Sequence, residues 1–539
     1  MRIDPIQLNN QNKLINDYRN NKSAIMEYFD YAPFGDYGKR VNDLKSRTFN
    51  RKQLTDVLHT INRHWDAPEA TYHNIERLNN EESVVVIGGQ QAGLMTGPLY
   101  TINKIISIIQ LAKQQEAALN IPVVPVFWIA GEDHDFDEIN HVFLPEKSRM
   151  KKHTIAQRIT DKQSVSNIAI DEKLANDWID RCFEELQETV YTKDLYISVK
   201  DCLKKSNSYV DFFARVLYQF FNEEGLVLID SGYPQVRQLE SDHFKELIKQ
   251  QPEITAGVYE AYQQVKQDGY SLSLEADPRE AHLFYHMDGE RILLTRNETE
   301  KWAGKQDEVE LTTEELLSIA EKTPELLSNN VVTRPLMQEL LFPTLAFIGG
   351  NGEIGYWSVL KPAFAALDIK MPPVVPRLSF TYLGRNMDKI IRKYDISDAR
   401  AVEEGVEDFK ENWLASKDTP PIEQMANTIK AEIDQVHKPL RDAAQDMRAD
   451  LAELADKNLF YLKANIDYLK NRMEKVLEEK YAKELAEFDM IHNTLHPLGG
   501  LQERVWNPLP LVNEYGTDFI KQLINEPCSF EKEHFVVYI

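Results

Sequence analysis

The 539-residue chain is short of cysteine, of basic residues and of long apolar runs, and each shortage narrows what it can be. Its three cysteines, Cys182, Cys202 and Cys528, lie far apart and form no Cys-x-x-Cys pair. That argues against a disulfide framework and against a zinc–thiolate site, and favours a reducing cytoplasm. Lysine and arginine total 62 against 86 acidic residues, a formal net charge of −24. Phosphate neutralisation needs clustered cations, so this balance argues against a nucleic-acid partner and against an anionic membrane surface. A locally positive pocket for a small anion remains compatible with it. No run of roughly 18 apolar residues occurs, so no membrane span is expected. Residues 1–30 lack the apolar stretch of a signal peptide, and the chain has no internal repeat or low-complexity tract.

Hydrophobic residues make up 42% of the chain, enough for a large core, and the length predicts roughly 2–4 domains. The most concentrated signal is 84-VVVIGGQQAGLMTGPLYTINK-104. Residues 84–87 read as a buried strand. Gly88 and Gly89 follow, then Gln90 and Gln91. Thr96-Gly97-Pro98 is a helix-start signature with proline at the first helical position, and an amphipathic helix is expected over 99–118. Strand, glycine-bearing loop and helix N-terminus together build an anion site from free amides and the positive dipole end. Lys104 leans back toward that end. The spacing matches neither a Walker A motif nor G-x-G-x-x-G, so a plain glycine turn with a surface lysine is the competing reading.

A second strand, 123–130, makes the unit β-α-β and the pair parallel, with a right-handed crossover. Directly after it, 131-GEDHDFDEINH-141 packs acids and histidines at a strand's carboxyl end, where α/β sheets bind ligands. On a helix, His134, Glu138 and His141 would share a face able to hold a divalent metal. Alternatively His134, oriented by Asp133 or Asp135, is a general base. The structural alternative is that the acids only cap a helix. A third cluster joins Arg334, a fork for carboxylate or phosphate, to Asn351 and Glu353 after a strand at 344–348, with an ordinary glycine loop as the alternative. A fourth, 503-ERVWNP-508, offers Arg504 and Trp506 to clamp a base, or an aromatic that pins two domains together.

Residues 145–330 mix polar helices, a strand at 226–230 and a meander whose Asp288-Gly289 is a hairpin signal. They read as insertions on the α/β core. From about residue 385 the composition turns helical. Ile422, Met425, Ile429, Ile433, Val436, Leu440, Ala443, Met447, Leu451 and Leu454 recur at heptad spacing, and Leu459, Leu462, Ile466, Leu469, Met473 and Val476 continue the pattern. Two long helices are expected to pair through these seams as an antiparallel hairpin that breaks at 455–458, with Pro439 kinking the first.

Taken together, GGQQAGLMTGPLYT, FWIAGEDHDFDEIN, NNVVTRPLMQE and MPPVVPR resemble the cysteine ligase family of bacillithiol biosynthesis, from 11-QNKLINDY-18 to 504-RVWNPLPLVNEYG-516. The resemblance implies a ligase that joins L-cysteine to the amine of glucosaminyl-malate. It implies an α/β fold with a Rossmann-like parallel-sheet core, similar to class I nucleotidyltransferases. That core is assigned to residues 1–145 and 331–384, with inserted connective modules at 146–330. A C-terminal antiparallel coiled-coil domain at 385–505 would mediate a homodimer, and a tail at 506–539 would pack on the core. ATP or ADP is the implied cofactor, and the need for a divalent metal is left open. The His-x-Gly-His and Lys-Met-Ser-Lys-Ser motifs of class I aminoacyl-tRNA synthetases are absent, so Lys104 or His134 would have to stabilise the phosphate instead. In this scheme Gly88, Gly89, Gln90, Gln91, Thr96 and Gly97 bind phosphate, Lys104 neutralises developing charge and Arg334 grips a carboxylate. Two other readings stay open: a nucleotidyltransferase that adenylates a different small acid, and a non-catalytic coiled-coil scaffold of the pathway.

Overall fold

Val84–Gln90 (β1), Val123–Ile129 (β2), Val227–Asp230 (β3), Thr344–Gly349 (β4) and Val374–Pro376 (β5) form one all-parallel sheet in the computed structural model, in the order β3-β2-β1-β4-β5. The structure describes residues 1–9, 12–146, 149–306, 308–418 and 421–539. Every residue of these strands but Gln90 is buried, as a sheet covered on both faces requires. Pairing runs from Val84↔Val123 to Gln90↔Ile129 on one side of β1 and reaches Ile87↔Phe347 on the other. The chain leaves β1 toward β2 and β3, then returns to lay β4 and β5 on β1's opposite side. This is the Rossmann order, and the reversal between β1 and β4 opens a crevice at the strands' carboxyl ends.

Three expectations for this unit change. β1 does not stop at Ile87 but runs to Gln90, so Gly88 and Gly89 are strand residues, not loop. Close packing explains them: a Cβ on Gly88 would stand 3.0 Å from the Ile348 carbonyl oxygen, and one on Gly89 only 2.7 Å from that of Trp128. The helix after β1, α1 (Tyr100–Leu119), starts two residues beyond Pro98 and is not amphipathic; its residues 101–112 are all buried. The C-terminal tail covers it, where Gln110 Nε2 donates to the carbonyls of Leu523 (2.7 Å) and Glu526 (3.0 Å). Finally, β3 was expected within the insertions but is the edge strand of the central sheet.

The 34-residue helix α2 (Pro234–Gln267) follows β3. An antiparallel sheet comes next, in which Glu280–Met287 pairs with Glu290–Arg296 through the Asp288-Gly289 turn. Both turn residues have positive φ, 52° and 87°, the conformation that asparagine, aspartate and glycine accept most readily. Leu327–Asn329 pairs with the same hairpin and leads into α3 (Thr333–Leu341), while α4 (Asn351–Trp357) follows β4. The last strand, His534–Tyr538, pairs with both Arg2–Ile6 and Phe380–Leu383.

Among the described residues, 386–418 and 421–499, with Arg149, form a second compact unit. It carries α5 (Ile422–Met447) and α6 (Ala449–Lys480), an antiparallel hairpin. The break lies at Arg448, which is extended at φ −173°, ψ 143°, and not at the expected 455–458. Pro439 sits inside a helix that continues to Met447. Polar pairs bridge the helices. Lys430 Nζ meets Asp467 at 2.7 Å, His437 Nε2 meets Asn458 Oδ1 at 3.0 Å, and Asp434 accepts from Lys463. Small Ala426 and Ala455 are buried. Much of the seam faces outward: Val436 is 81% exposed, Met447 76% and Leu440 63%, while Ile433, Leu451, Leu459 and Ile466 are half-buried.

The glycine packing gives a paired test in urea unfolding. Gly89→Ala forces a Cβ against a backbone carbonyl and should cost about 1–3 kcal/mol. Gly355→Ala, inside α4 with nothing within 4 Å of the new Cβ, should instead stabilise by about 0.5–1 kcal/mol. Equal effects would contradict the close-packing account of β1.

Candidate active site

A cavity of about 650 Å³ occupies the crevice at the carboxyl ends of the sheet. Of the residues singled out from sequence, Gly89, Gln90, Gln91, Lys104, Asp133, His134, Arg334, Asn351, Glu353 and Arg504 line it. They come from four segments distant in the chain. β1, β2 and β4 each end at this crevice, so the residues that follow them converge there.

One half lies at the switch point. Lys104, buried on α1, sends Nζ to the Gly89 carbonyl (2.7 Å), to Glu353 Oε2 (2.5 Å) and to Gln90 Oε1 (3.3 Å). Glu353 is held in turn by the Gly350 amide, which donates to its Oε2 at 2.8 Å at the start of α4. Beside this pair, Arg377 grips Glu503 through both terminal nitrogens, at 2.7 and 2.6 Å. Ser379 Oγ also donates to Glu503 (2.8 Å) and accepts from His534 Nδ1 (2.7 Å).

The other half is built by the end of β2 and the inserted hairpin. Gln91 Nε2 donates to Asp133 Oδ2 at 2.7 Å. Arg291, from the strand Glu290–Arg296, lies 3.7 Å over the Phe284 ring. It donates to Ser328 Oγ (3.1 Å) and to the Asn329 carbonyl (2.6 Å). Its Nη1 reaches His134 Nδ1 at 3.3 Å and Asp133 Oδ1 at 3.5 Å. Arg334 donates to the Tyr356 hydroxyl at 2.5 Å and leaves a buried Nε without a partner among the described residues. Asn329, 1% exposed and lining the cavity, leaves both side-chain polar atoms unpartnered among those residues.

Five expected site residues lie elsewhere. Gly88 is packed within the sheet. Thr96 is buried outside the cavity, and Gly97 lines only a neighbouring hollow of about 370 Å³. Asp135 is exposed and does not line the cavity, so it does not orient His134. Trp506 packs against the core, and its carbonyl accepts from the Leu99 amide at 2.8 Å, capping α1 and filling part of the helix end expected to take phosphate. The helical face proposed for His134, Glu138 and His141 does not form, because the helix spans only Phe136–Ile139 and a strand begins at His141. Among the described residues no group of three or more His, Cys, Asp or Glu side chains could hold a metal ion. Arg291, Asn329, Arg377 and Glu503 were missed. Arg377 ends the quoted MPPVVPR and Glu503 begins ERVWNP, but nothing local marks them as partners 126 residues apart.

Residues 1–378 match the family described as "Bacillithiol biosynthesis BshC, N-terminal Rossmann-like domain", and residues 380–539 match "Bacillithiol biosynthesis BshC, C-terminal coiled-coil domain". The chain belongs to the BshC family. A relative from Oceanobacillus iheyensis is 42% identical over 543 residues, covering 100% of both chains. One from Bacillus cereus is 40% identical over 528 residues, 98% of each. Both carry the description "Putative cysteine ligase BshC".

Charge in this BshC-family cavity is set by burial and by neighbours. Burial lowers the Lys104 pKa, and Glu353 opposes the shift. Burial also works against Arg334, but the Tyr356 hydroxyl and the carboxylates Glu353, Glu132 and Asp133 hold its pKa above the usual value. For Asp133, burial favours the neutral acid. The Gln91 hydrogen bond and the charge of Arg291 outweigh it and lower the pKa. Burial and then Arg291 lower His134, which is therefore neutral at pH 7. A guanidinium only donates, so the Nδ1 that faces Arg291 is unprotonated and the proton sits on Nε2. In that state the imidazole cannot accept a substrate proton at Nε2.

Burial also depresses His282 and His534 to about 4 and His286 to about 3. Folded values below the ordinary 6.5 mean that the unfolded chain takes up protons first, so stability is whole above pH 6.5 and drains as pH falls toward 4. His534→Gln removes one such group. Its loss of unfolding free energy between pH 7 and pH 5 should be smaller than that of the parent by on the order of 2 kcal/mol. An equal loss in the two proteins would contradict a neutral buried His534.

Proposed function

We propose that this chain is a ligase that adds L-cysteine to the amine of glucosaminyl-malate, with nucleotide-dependent activation of the cysteine carboxylate. The observation that carries the reading is the convergence of Lys104, Arg334, Asp133 and His134 on one cavity at the Rossmann switch point. Family membership and the relatives' description as cysteine ligases favour the same reaction. An amide does not form from a free carboxylate and an amine in water without activation, and ATP is the reagent suited to it.

The switch-point half of the cavity suits the nucleotide's phosphates. Lys104 and Arg377 carry positive charge there, and Arg504 adds an exposed guanidinium at the rim. Both buried cations are paired in this state, so a phosphate would compete with Glu353 and Glu503 for them. The second half, with Arg334, Arg291 and Asn329, suits carboxylates and hydroxyls. Lys104 would stabilise charge that develops at the activated carboxylate, and Arg334, with Nε free, would hold a carboxylate of malate or cysteine.

The test is to incubate the protein with glucosaminyl-malate, cysteine and ATP, then to identify the thiol product and the spent nucleotide. Lys104→Ala and Arg334→Ala should each lower product formation about 100-fold or more. Unchanged yield from both variants, or no product from the parent chain, would contradict the reading.

The same reading includes a homodimer through the coiled coil. A stripe with Val436, Leu440, Met447, Leu454 and Leu469 exposed on α5 and α6 is the support, since soluble chains seldom leave so much apolar surface uncovered. Val436→Glu combined with Leu440→Glu should halve the mass measured by light scattering without unfolding the hairpin. A parent chain that is already monomeric would contradict the dimer.

A further inference from the structure

We propose that Arg291 is a positioning residue that fixes His134 as a hydrogen-bond donor, so that Nε2–H meets an anionic oxygen of the acid being ligated. The inference rests on the ligase reading above and assigns His134 a role within it. Arg291 cannot turn away from the imidazole. Its Nε is held by Ser328 Oγ, one terminal nitrogen by the Asn329 carbonyl, and its plane by the Phe284 ring. Ser328 Oγ is itself 2.8 Å from His286 Nε2, a ring that burial keeps neutral, and with two lone pairs it accepts from Arg291 in either tautomer of that ring. The remaining terminal nitrogen is thereby presented to His134 Nδ1.

The carboxylate that would favour the opposite tautomer is out of range. Asp133 Oδ1 lies 3.8 Å from Nδ1 and is occupied by the His134 amide at 2.8 Å and by Arg291. Lys162 and Asp135 act on the ring only through their charge. Nε2 has no partner among the described residues, and the ring lines the cavity. A donor held in place at no reorganisation cost is what an oxygen gaining negative charge requires. The residue is thus supplied by β2 and its protonation state by the inserted hairpin.

Substitution separates donor from base. Glutamine carries an amide N–H near the place of Nε2–H but cannot take up a proton. His134→Gln should keep kcat within about tenfold of the parent, whereas His134→Ala should lose about 100–1000-fold. Arg291→Met should lose activity and change the pH profile, and Arg291→Lys, which retains a donor, should recover part of both. Equal loss in folded His134→Gln and His134→Ala would overturn the proposal. A second arm needs no turnover. In protein labelled with ¹⁵N-histidine, the His134 signals, assigned by their absence in His134→Gln, should report an unprotonated Nδ1 and a protonated Nε2 at pH 7. The Arg291→Met spectrum should lose that preference. An Nδ1–H tautomer in the parent would overturn the proposal even if product forms, whereas the expected tautomer in a protein without turnover would count against the ligase reading alone.

Discussion

The ion pair between Lys104 and Glu353 is the contact around which the rest of the site is arranged. Lys104 stands on the helix after β1 and Glu353 on the helix after β4, so their 2.5 Å contact spans the switch point where the strand order reverses. Burial disfavours the ammonium, and the pair is tolerated because the Gly89 carbonyl and the Gly350 amide complete its hydrogen bonds. Close approach of the strands there demands glycine as well: Gly88 faces the Ile348 carbonyl on β4, and Gly89 the Trp128 carbonyl on β2.

The opposite wall is supplied by residues inserted between β3 and β4. Arg291 and Asn329 belong to the antiparallel sheet, yet they face the acids and histidine that follow β2. The division is chemically useful. Lys104 and Arg377 stand at the switch point, and the insertion supplies the donors Arg291 and Asn329.

Much of this was legible in the sequence because it depends on local pattern. β-branched runs gave the strands β1, β2 and β4, Asp288-Gly289 gave the hairpin, and polar residues just after the strands gave Gln91, Asp133, His134 and Asn351. What escaped depends on pairing across distance. The Arg377–Glu503 and Arg291–His134 contacts carry no periodicity, and β3, only four residues long, looked like part of an insertion. The heptads are visible in the sequence but their pairing is not, because polar bridges such as Lys430–Asp467 also join the hairpin and leave much of the apolar seam facing out. The place of His134 in the cavity follows from its position just after β2, while its tautomer depends on the guanidinium beside it.

The central claim is that one cavity at the switch point holds both the acid and the nucleotide. A crystal structure of the protein with glucosaminyl-malate and a non-hydrolysable ATP analogue tests it most directly. The account predicts the malyl carboxylates against Arg334 and Arg291 and the phosphates beside Lys104 and Arg377. Both ligands bound away from these residues, with the cavity holding only solvent, would contradict it.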